Sequence, residues 1–236
     1  MRLRIRFSKT GPMRYISHLD TMRFFQKALR RAGADVSLSE GFSPHMLMSF
    51  ALPLSLGMES IGEYFDVEVR SVRTTKQLMD ELNKQMCPGC EILSVRIIPD
   101  DKASKCMTQV AAADYSVFVC ETDGSPWKCA EETVKEMIRE FLSRPEITVL
   151  KKTKKGEKES DIKPFIYAFE YIEKRFKMRI GAGSVNHVRC DLLMREFFAF
   201  SGIPEESLIT NIRRDDLLLE TEKGFAPLDS IGEASE

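Results

Sequence analysis

Residues 2–7 alternate without exception, with Leu3, Ile5 and Phe7 on one side and Arg2, Arg4 and Arg6 on the other. Period 2 of this strictness demands a half-buried strand, because successive strand side chains point to opposite faces. A strand needs a sheet, and the following residues supply one. Lys9-Thr-Gly-Pro12 breaks the extended run. Met22, Phe25, Leu29 and Ala32 then recur at helical spacing, while Arg23, Lys27, Arg30 and Arg31 form the opposite stripe. Ser17 or Asp20 can cap that helix and Gly33 can stop it. Residues 34–46 read as an extended segment and loop, and 47–53 as a strand. In 63–70, Phe65, Val67 and Val69 alternate with Tyr64, Asp66, Glu68 and Arg70. A helix over 74–86 keeps Leu78, Leu82 and Met86 in register, and 91–98 closes the set as a strand. The order is β-α-β-β-α-β, which predicts a ferredoxin-like unit.

The second half repeats the element order, though not the sequence. Residues 114–120 read as a strand. Ser125-Pro126 opens a helix whose apolar face runs from Trp127 through Val134 to Phe141. Strands fall in 146–152 and 163–180, a helix around 188–200 and a last strand near 207–219. The expected class is α+β, with two ferredoxin-like βαββαβ units in tandem, antiparallel sheets and helices on one face. The predicted boundaries are 1–108, 109–222 and a polar tail over 223–236.

Net charge is −1, but residues 1–50 hold nine Lys and Arg against three acids, or 9 − 3 = +6, so the remainder carries −7. That asymmetry points to an anionic partner for the N-terminal end, unless the acidic part packs against it. No run of about 18 apolar residues could span a membrane. The N-terminus alternates instead of forming a signal-peptide apolar block, so a cytoplasmic location is expected. The six cysteines are Cys87, Cys90, Cys106, Cys120, Cys129 and Cys190; in a reducing compartment they read as thiols. Cys87-Pro-Gly-Cys90 lacks the second pair a structural zinc site needs, and it ends a helix where a redox CxxC opens one. A turn is the expectation there, with no metal and no cofactor in this chain.

The richest stretches are Arg14-Tyr-Ile-Ser-His-Leu-Asp20 with Arg23, and Gly41-Phe-Ser-Pro-His45. "YISHLDTMRFFQKALRRAG" followed by "GFSPHMLMSFALPLSLGMESIGEYFDVEV" resembles the bacterial radical-SAM-linked protein family, a domain of unknown function. The resemblance covers essentially the whole chain and is strongest in the first seventy residues. It implies a radical SAM protein as partner, in a gene setting linked to ribonuclease and ribosomal proteins. Met46 and Met48 stand where many members carry a proline and a basic residue, which removes a charge from that spot. No CxxxCxxC occurs, so an iron–sulfur cluster would belong to the partner.

Two functional readings of these stretches compete with a structural one. His18 at a helix start and His45 in a proline turn, with Tyr15, Ser17 and Asp20, could form a metal-independent acid–base centre acting on RNA. Alternatively Ser17 and Asp20 cap the helix and the histidines bond loop backbone. For RNA binding the candidates are Arg4, Arg6, Arg14, Arg23, Lys27, Arg30, Arg31 and His45, beside a loop cluster of Ser17, Asp20, Gly41, Phe42 and Pro44. Arginines hold the outward strand positions where an RRM would place stacking aromatics. Asp66 and Glu68 could instead neutralise Arg4 and Arg6 across the sheet. Lys151, Lys152, Lys154, Lys155 and Lys158 crowd a hairpin tip, and Gly181-Ala-Gly-Ser184 forms a strand-to-helix turn with no P-loop lysine. The expected function is therefore a non-catalytic RNA-binding or substrate-presenting partner of a radical SAM enzyme acting on RNA or a ribosome-linked target. The alternatives are an RNA-processing or RNA-modifying enzyme centred on Tyr15, His18 and His45, and a protein–protein adaptor.

Overall fold

The computed structural model describes residues 1–153, 156–184 and 186–235. Its elements in chain order are β1 (Arg2–Lys9), α1 (His18–Arg31), β2 (Asp35–Val36), β3 (Met48–Phe50), β4 (Glu59–Ser71), α2 (Thr75–Asn83), β5 (Ile92–Ile98) and α3 (Cys106–Gln109). There follow β6 (Ala112–Glu121), α4 (Glu131–Ser143), β7 (Thr148–Thr153), β8 (Gly156–Asp161), β9 (Ile166–Ile172), β10 (Arg175–Gly181), α5 (Cys190–Phe200), β11 (Leu208–Thr221) and β12 (Gly224–Pro227). The chain is α+β, with a mostly antiparallel sheet and five helices among the described residues. It divides into two compact units, 1–111 completed by the residues from Arg214 onward, and 112–213. Residues 223–235, expected as a polar tail, lie in the first unit. Glu233 bridges Ile97, and Ser235 exchanges hydrogen bonds with Thr75 at the start of α2.

In the first unit β1 is central, flanked by β5 and β4, and β2 and β3 pair with β4. Leu3, Ile5 and Phe7 are buried against Phe25 and Leu29 of α1. The Phe7 and Phe25 ring centroids lie 4.6 Å apart, and Phe25 and Phe65 4.8 Å apart. Burying each such ring contributes about 1.5–3 kcal/mol, which fixes α1 on the sheet with its cationic stripe outward. Ser17 is the N-cap, its Oγ accepting from the Asp20 N–H at 3.2 Å. The strand at 47–53 is shorter than expected, only Met48–Phe50.

Cys87-Pro-Gly-Cys90 is a turn. Gly89 has φ +88°, and a Cβ there would lie 2.2 Å from the Thr10 carbonyl oxygen, so only glycine fits. All six cysteines are free thiols, and burial pushes Cys90 up to about 12.

The second unit orders its strands β11-β6-β10-β9, with residues 208–213 of β11 belonging to it. β7 and β8 form a separate two-stranded ribbon. α4 begins at Glu131, five residues or so later than Ser125-Pro126 suggested, because Pro126 bridges back to Cys120. Trp127 precedes the helix and packs its ring among Tyr171, Phe176 and Phe198. Lys154 and Lys155 of the proposed lysine tip, and the side chains of Lys151, Lys152 and Lys158, lie outside the described residues. No helix of the chain is long and apolar enough to cross a membrane among the described residues.

Candidate nucleic-acid surface

The outward face of β1 is not a free basic surface. Arg4 is completely buried. Its Nε donates to Asp66 Oδ1 at 2.9 Å and Nη2 to Asp66 Oδ2 at 3.2 Å and the Ser104 carbonyl at 2.6 Å. Nη1 donates to Gln109 Oε1 and to the Leu228 carbonyl, both at 2.8 Å. Every one of the guanidinium's five N–H groups therefore has an acceptor. The direct opposition of Arg4 and Asp66 follows from the β1–β4 register. Arg2 is also buried, held by Asp100 at 2.8 Å and Glu68 at 3.5 Å. Arg6 pairs with Asp216 at 2.9 Å and approaches Asp229 at 3.8 Å. Arg4, sealed from solvent, is thus removed from the set of nucleic-acid contacts, whereas Arg6 is paired with carboxylates but stays partly exposed. Residues 99–109 and 214–230 supply groups that meet β1's second face, which leaves Arg2 and Arg4 buried and Arg6 partly exposed.

The α1 stripe behaves differently. Helical steps of about 100° set Leu19, Arg23, Lys27, Arg30 and Arg31 within one arc of roughly 120°. The opposite arc holds the buried Thr21, Phe25, Ala28 and Leu29. Arg23, Lys27, Arg30 and Arg31 are all exposed. Arg23 leans on Asp20 at 3.1 Å; among the described residues Lys27, Arg30 and Arg31 carry no acidic partner. Arg30 and Arg31 sit in the last turn, where the helix dipole favours cations. Ahead of the helix Tyr15 is 60% exposed, and Leu19 in its first turn is 57% exposed. Arg14 stacks its guanidinium carbon 4.8 Å from the Tyr15 centroid, donates to Tyr15 Oη at 2.7 Å and reaches Glu59 at 3.8 Å.

The histidines occupy separate settings. His18 stands edge-on to Phe50, centroids 5.1 Å apart, at the rim of the aromatic core. His45 closes the 39–45 loop: its Nδ1 lies 2.8 Å from Ser39 Oγ, and its N–H donates to the same oxygen at 3.1 Å. Gly41, Phe42 and Pro44 form the exposed tip of that loop, with Phe42 fully exposed. Met46 turns back into the core, which is why an apolar residue serves there. Among the described residues no hydrogen bond or ring contact joins Tyr15, His18 and His45. Ser17 and Asp20 work as cap and N3 residue, with Ser17 Oγ donating to Asp20 Oδ2 at 2.7 Å. The hydrogen bonds from Ser17 and Arg23 hold the Asp20 carboxyl below its ordinary range. No group of three or more His, Cys, Asp or Glu side chains is placed to hold a metal among the described residues.

Sequence reasoning passed over the buried polar set beneath these surfaces. Arg214 pairs bidentately with Glu63 at 2.7 and 2.6 Å, both inside the first unit. Tyr64 Oη donates to Asp216 at 2.6 Å and to Asp229 at 3.2 Å, and Ser94 donates to Asp229 at 2.6 Å. Lys9 is buried with its Nζ on the Ile16 carbonyl at 2.7 Å; burial draws its ammonium below its usual range, against the pull of Glu63. The available signal was charge inside apolar strands: Glu63 before Tyr64-Phe65, and Arg214 to Asp216 before Leu217-Leu-Leu219.

No curated protein matches this chain. Among solved structures, a chain of a Cbf5-Nop10-Gar1 complex aligns with TM-score 0.46 and 11% identity, over 90% of this chain. This chain spans 47% of that chain's length. The match to a bacterial family runs over residues 2–190, through the whole Tyr15–His45 region and into the second unit. On that extent the chain belongs to the family described as "Uncharacterized protein conserved in bacteria (DUF2344)".

Proposed function

We propose that the chain is a non-catalytic RNA-binding or substrate-presenting protein, that it grips RNA backbone with α1, and that it serves a radical SAM enzyme acting on RNA or a ribosome-linked target. The observation that carries this reading is the exposed stripe Arg23, Lys27, Arg30 and Arg31, set beside β1 arginines that are fully neutralised. Cations with no internal acceptor are available to phosphates, whose neutralisation releases counterions. Tyr15 and Leu19, near the start of α1, add exposed apolar surface that a base could cover. The enzyme partner rests on the resemblance of the Tyr15–Asp20 and Gly41–His45 motifs. Among the described residues no hydrogen bond or ring contact joins Tyr15, His18 and His45, which favours the non-catalytic form over the enzyme. Tandem ferredoxin-like units are part of the same proposal. The first unit's order β5-β1-β4 with β3 outermost, and the second's β11-β6-β10-β9, both suit that topology.

The test is a crosslinked pull-down from cells, with RNA sequenced and protein identified from one sample. The expected result is recovery of a defined RNA class together with a radical SAM protein. Recovery of the enzyme with no RNA above background would leave only the adaptor reading, and recovery of neither would end the proposal.

A further inference from the structure

We infer that Cys87, Cys90, Met13 and Met86 form a binding site for a soft monovalent metal ion of the copper(I) class, built around the 87–90 turn of the first unit. This goes beyond the RNA reading and rests on sulfur geometry alone. The Cys90 N–H donates to the Cys87 carbonyl at 3.0 Å, with Pro88 second in the turn and Gly89, at φ +88°, third. That is the pattern of a type II turn, which holds its first and fourth residues within about 7 Å. The turn is pinned to the end of β1. There the Thr10 N–H donates to the Gly89 carbonyl at 2.7 Å and the Ser8 N–H to the Glu91 carbonyl at 2.8 Å. Each cysteine then meets a thioether. Cys87 Sγ lies 3.6 Å from Met13 Sδ, and Cys90 Sγ 3.5 Å from Met86 Sδ. Met13 also lies against the middle of the turn, its Cγ 3.5 Å from where a Gly89 Cβ would stand. Two thiols and two thioethers from two segments of chain thus gather at one turn.

Sulfurs that share one metal at about 2.3 Å per bond in a tetrahedral set stand ~3.8 Å apart, close to both cysteine–methionine spacings. The donor set selects the ion. Thioether sulfur is a soft ligand that suits copper(I); zinc takes thiolate, imidazole and carboxylate, and hard cations take oxygen. A similar sulfur pair in the second unit shows the contrast. Cys190 Sγ lies 3.6 Å from Met178 Sδ, one thiol on one thioether, both sealed in the core. At 87–90 the pairing is doubled around one turn, and Met86, Cys87 and Cys90 line a surface cleft of about 540 Å³ that gives an ion a way in. Binding would release one proton from each thiol to solvent. Two thiolates and one monovalent cation leave a single negative charge. The Lys9 ammonium, buried with its Nζ on the Ile16 carbonyl at 2.7 Å, acts electrostatically on Cys90 and offsets that charge.

The experiment uses the full chain, reduced and kept free of oxygen, and copper(I) presented as its coloured bathocuproine disulfonate complex. The parent should strip one copper per chain from the complex, read as loss of its absorbance. Cys87→Ser/Cys90→Ser should leave the copper with the chelator. Met13→Leu/Met86→Leu, close to the parent in volume, should weaken copper binding by at least the roughly tenfold that losses outside the ligand shell already cost. It should also lower the number of sulfur neighbours seen by X-ray absorption at the copper edge. The methionine variant decides the matter if the cysteine variant melts at a lower temperature than the parent. A parent that leaves copper on the chelator overturns the inference. So does uptake unchanged in either double variant, and so does displacement of the bound copper by equimolar zinc(II). None of these results bears on the α1 reading.

Discussion

β1 and α1 both carry rows of cations, within thirty residues of each other in the same unit, and use them in opposite ways. On β1, Arg2, Arg4 and Arg6 each meet a carboxylate, and Arg4 is sealed from solvent. On α1, Arg23 makes one exposed contact and Lys27, Arg30 and Arg31 make none to an acid among the described residues. The difference lies in what each element packs against. β1 is the middle strand of β5-β1-β4, and its second face is closed by later chain. α1 buries only one stripe and leaves the other to water. A buried cation is fixed in number and partner and contributes to the fold; an exposed one remains available to a phosphate.

The comparison breaks first at Arg4. Arg4→Met leaves Asp66 buried with the Cys106 N–H as its remaining donor and should cost about 3–5 kcal/mol of unfolding free energy in urea titrations. Adding Asp66→Leu should recover much of that loss, since an isolated buried charge costs more than an apolar pair. A loss below about 1 kcal/mol would mean the β1 ion pairs are not structural.

Asp216, the partner of Arg6, gives a pH signature. Burial raises its carboxyl from 3.8 to about 6, with the Tyr64 hydrogen bond and Arg6 pulling downward. The folded chain therefore keeps a proton that the unfolded chain has released between those values. The associated stability is fully present below 3.8 and is lost as pH rises through about 6. Asp216→Asn should remove this loss, so the variant-minus-parent difference should rise across that window by on the order of 2 kcal/mol. A constant difference across the window would contradict the shift. On α1 a smaller effect is expected: Ser17→Ala should cost about 1 kcal/mol, measured by thermal melting, because the Asp20 N–H loses its acceptor.

Much of the local structure was legible in the sequence, and the use of the charges was not. The period-2 run in β1 and the period-3.6 run in α1 located both elements, and Ser17 marked the cap. The opposition of Arg4 and Asp66 could be anticipated from two alternating strands placed side by side. Gln109, Leu228, Asp216 and Asp229 could not, because the chain returns to β1 only after more than a hundred intervening residues. Outward alternation therefore identified the face correctly but could not say that later chain would cover it. His18 and His45 both belong to the motifs that resemble a family, but each has its own contact, His18 with Phe50 and His45 with Ser39.

Single substitutions of the α1 cations should move stability by no more than about 0.5 kcal/mol each, the smallest effects expected here. Their effect on RNA is the central claim. The most direct measurement is the salt dependence of single-stranded RNA affinity for the parent and for Arg23→Ala/Lys27→Ala/Arg30→Ala/Arg31→Ala in the full chain. The predicted result is weaker binding and a log–log salt slope shallower by about 0.7 for each phosphate contact removed, with a melting temperature close to the parent's. Equal affinity and equal slope in the two proteins would contradict it.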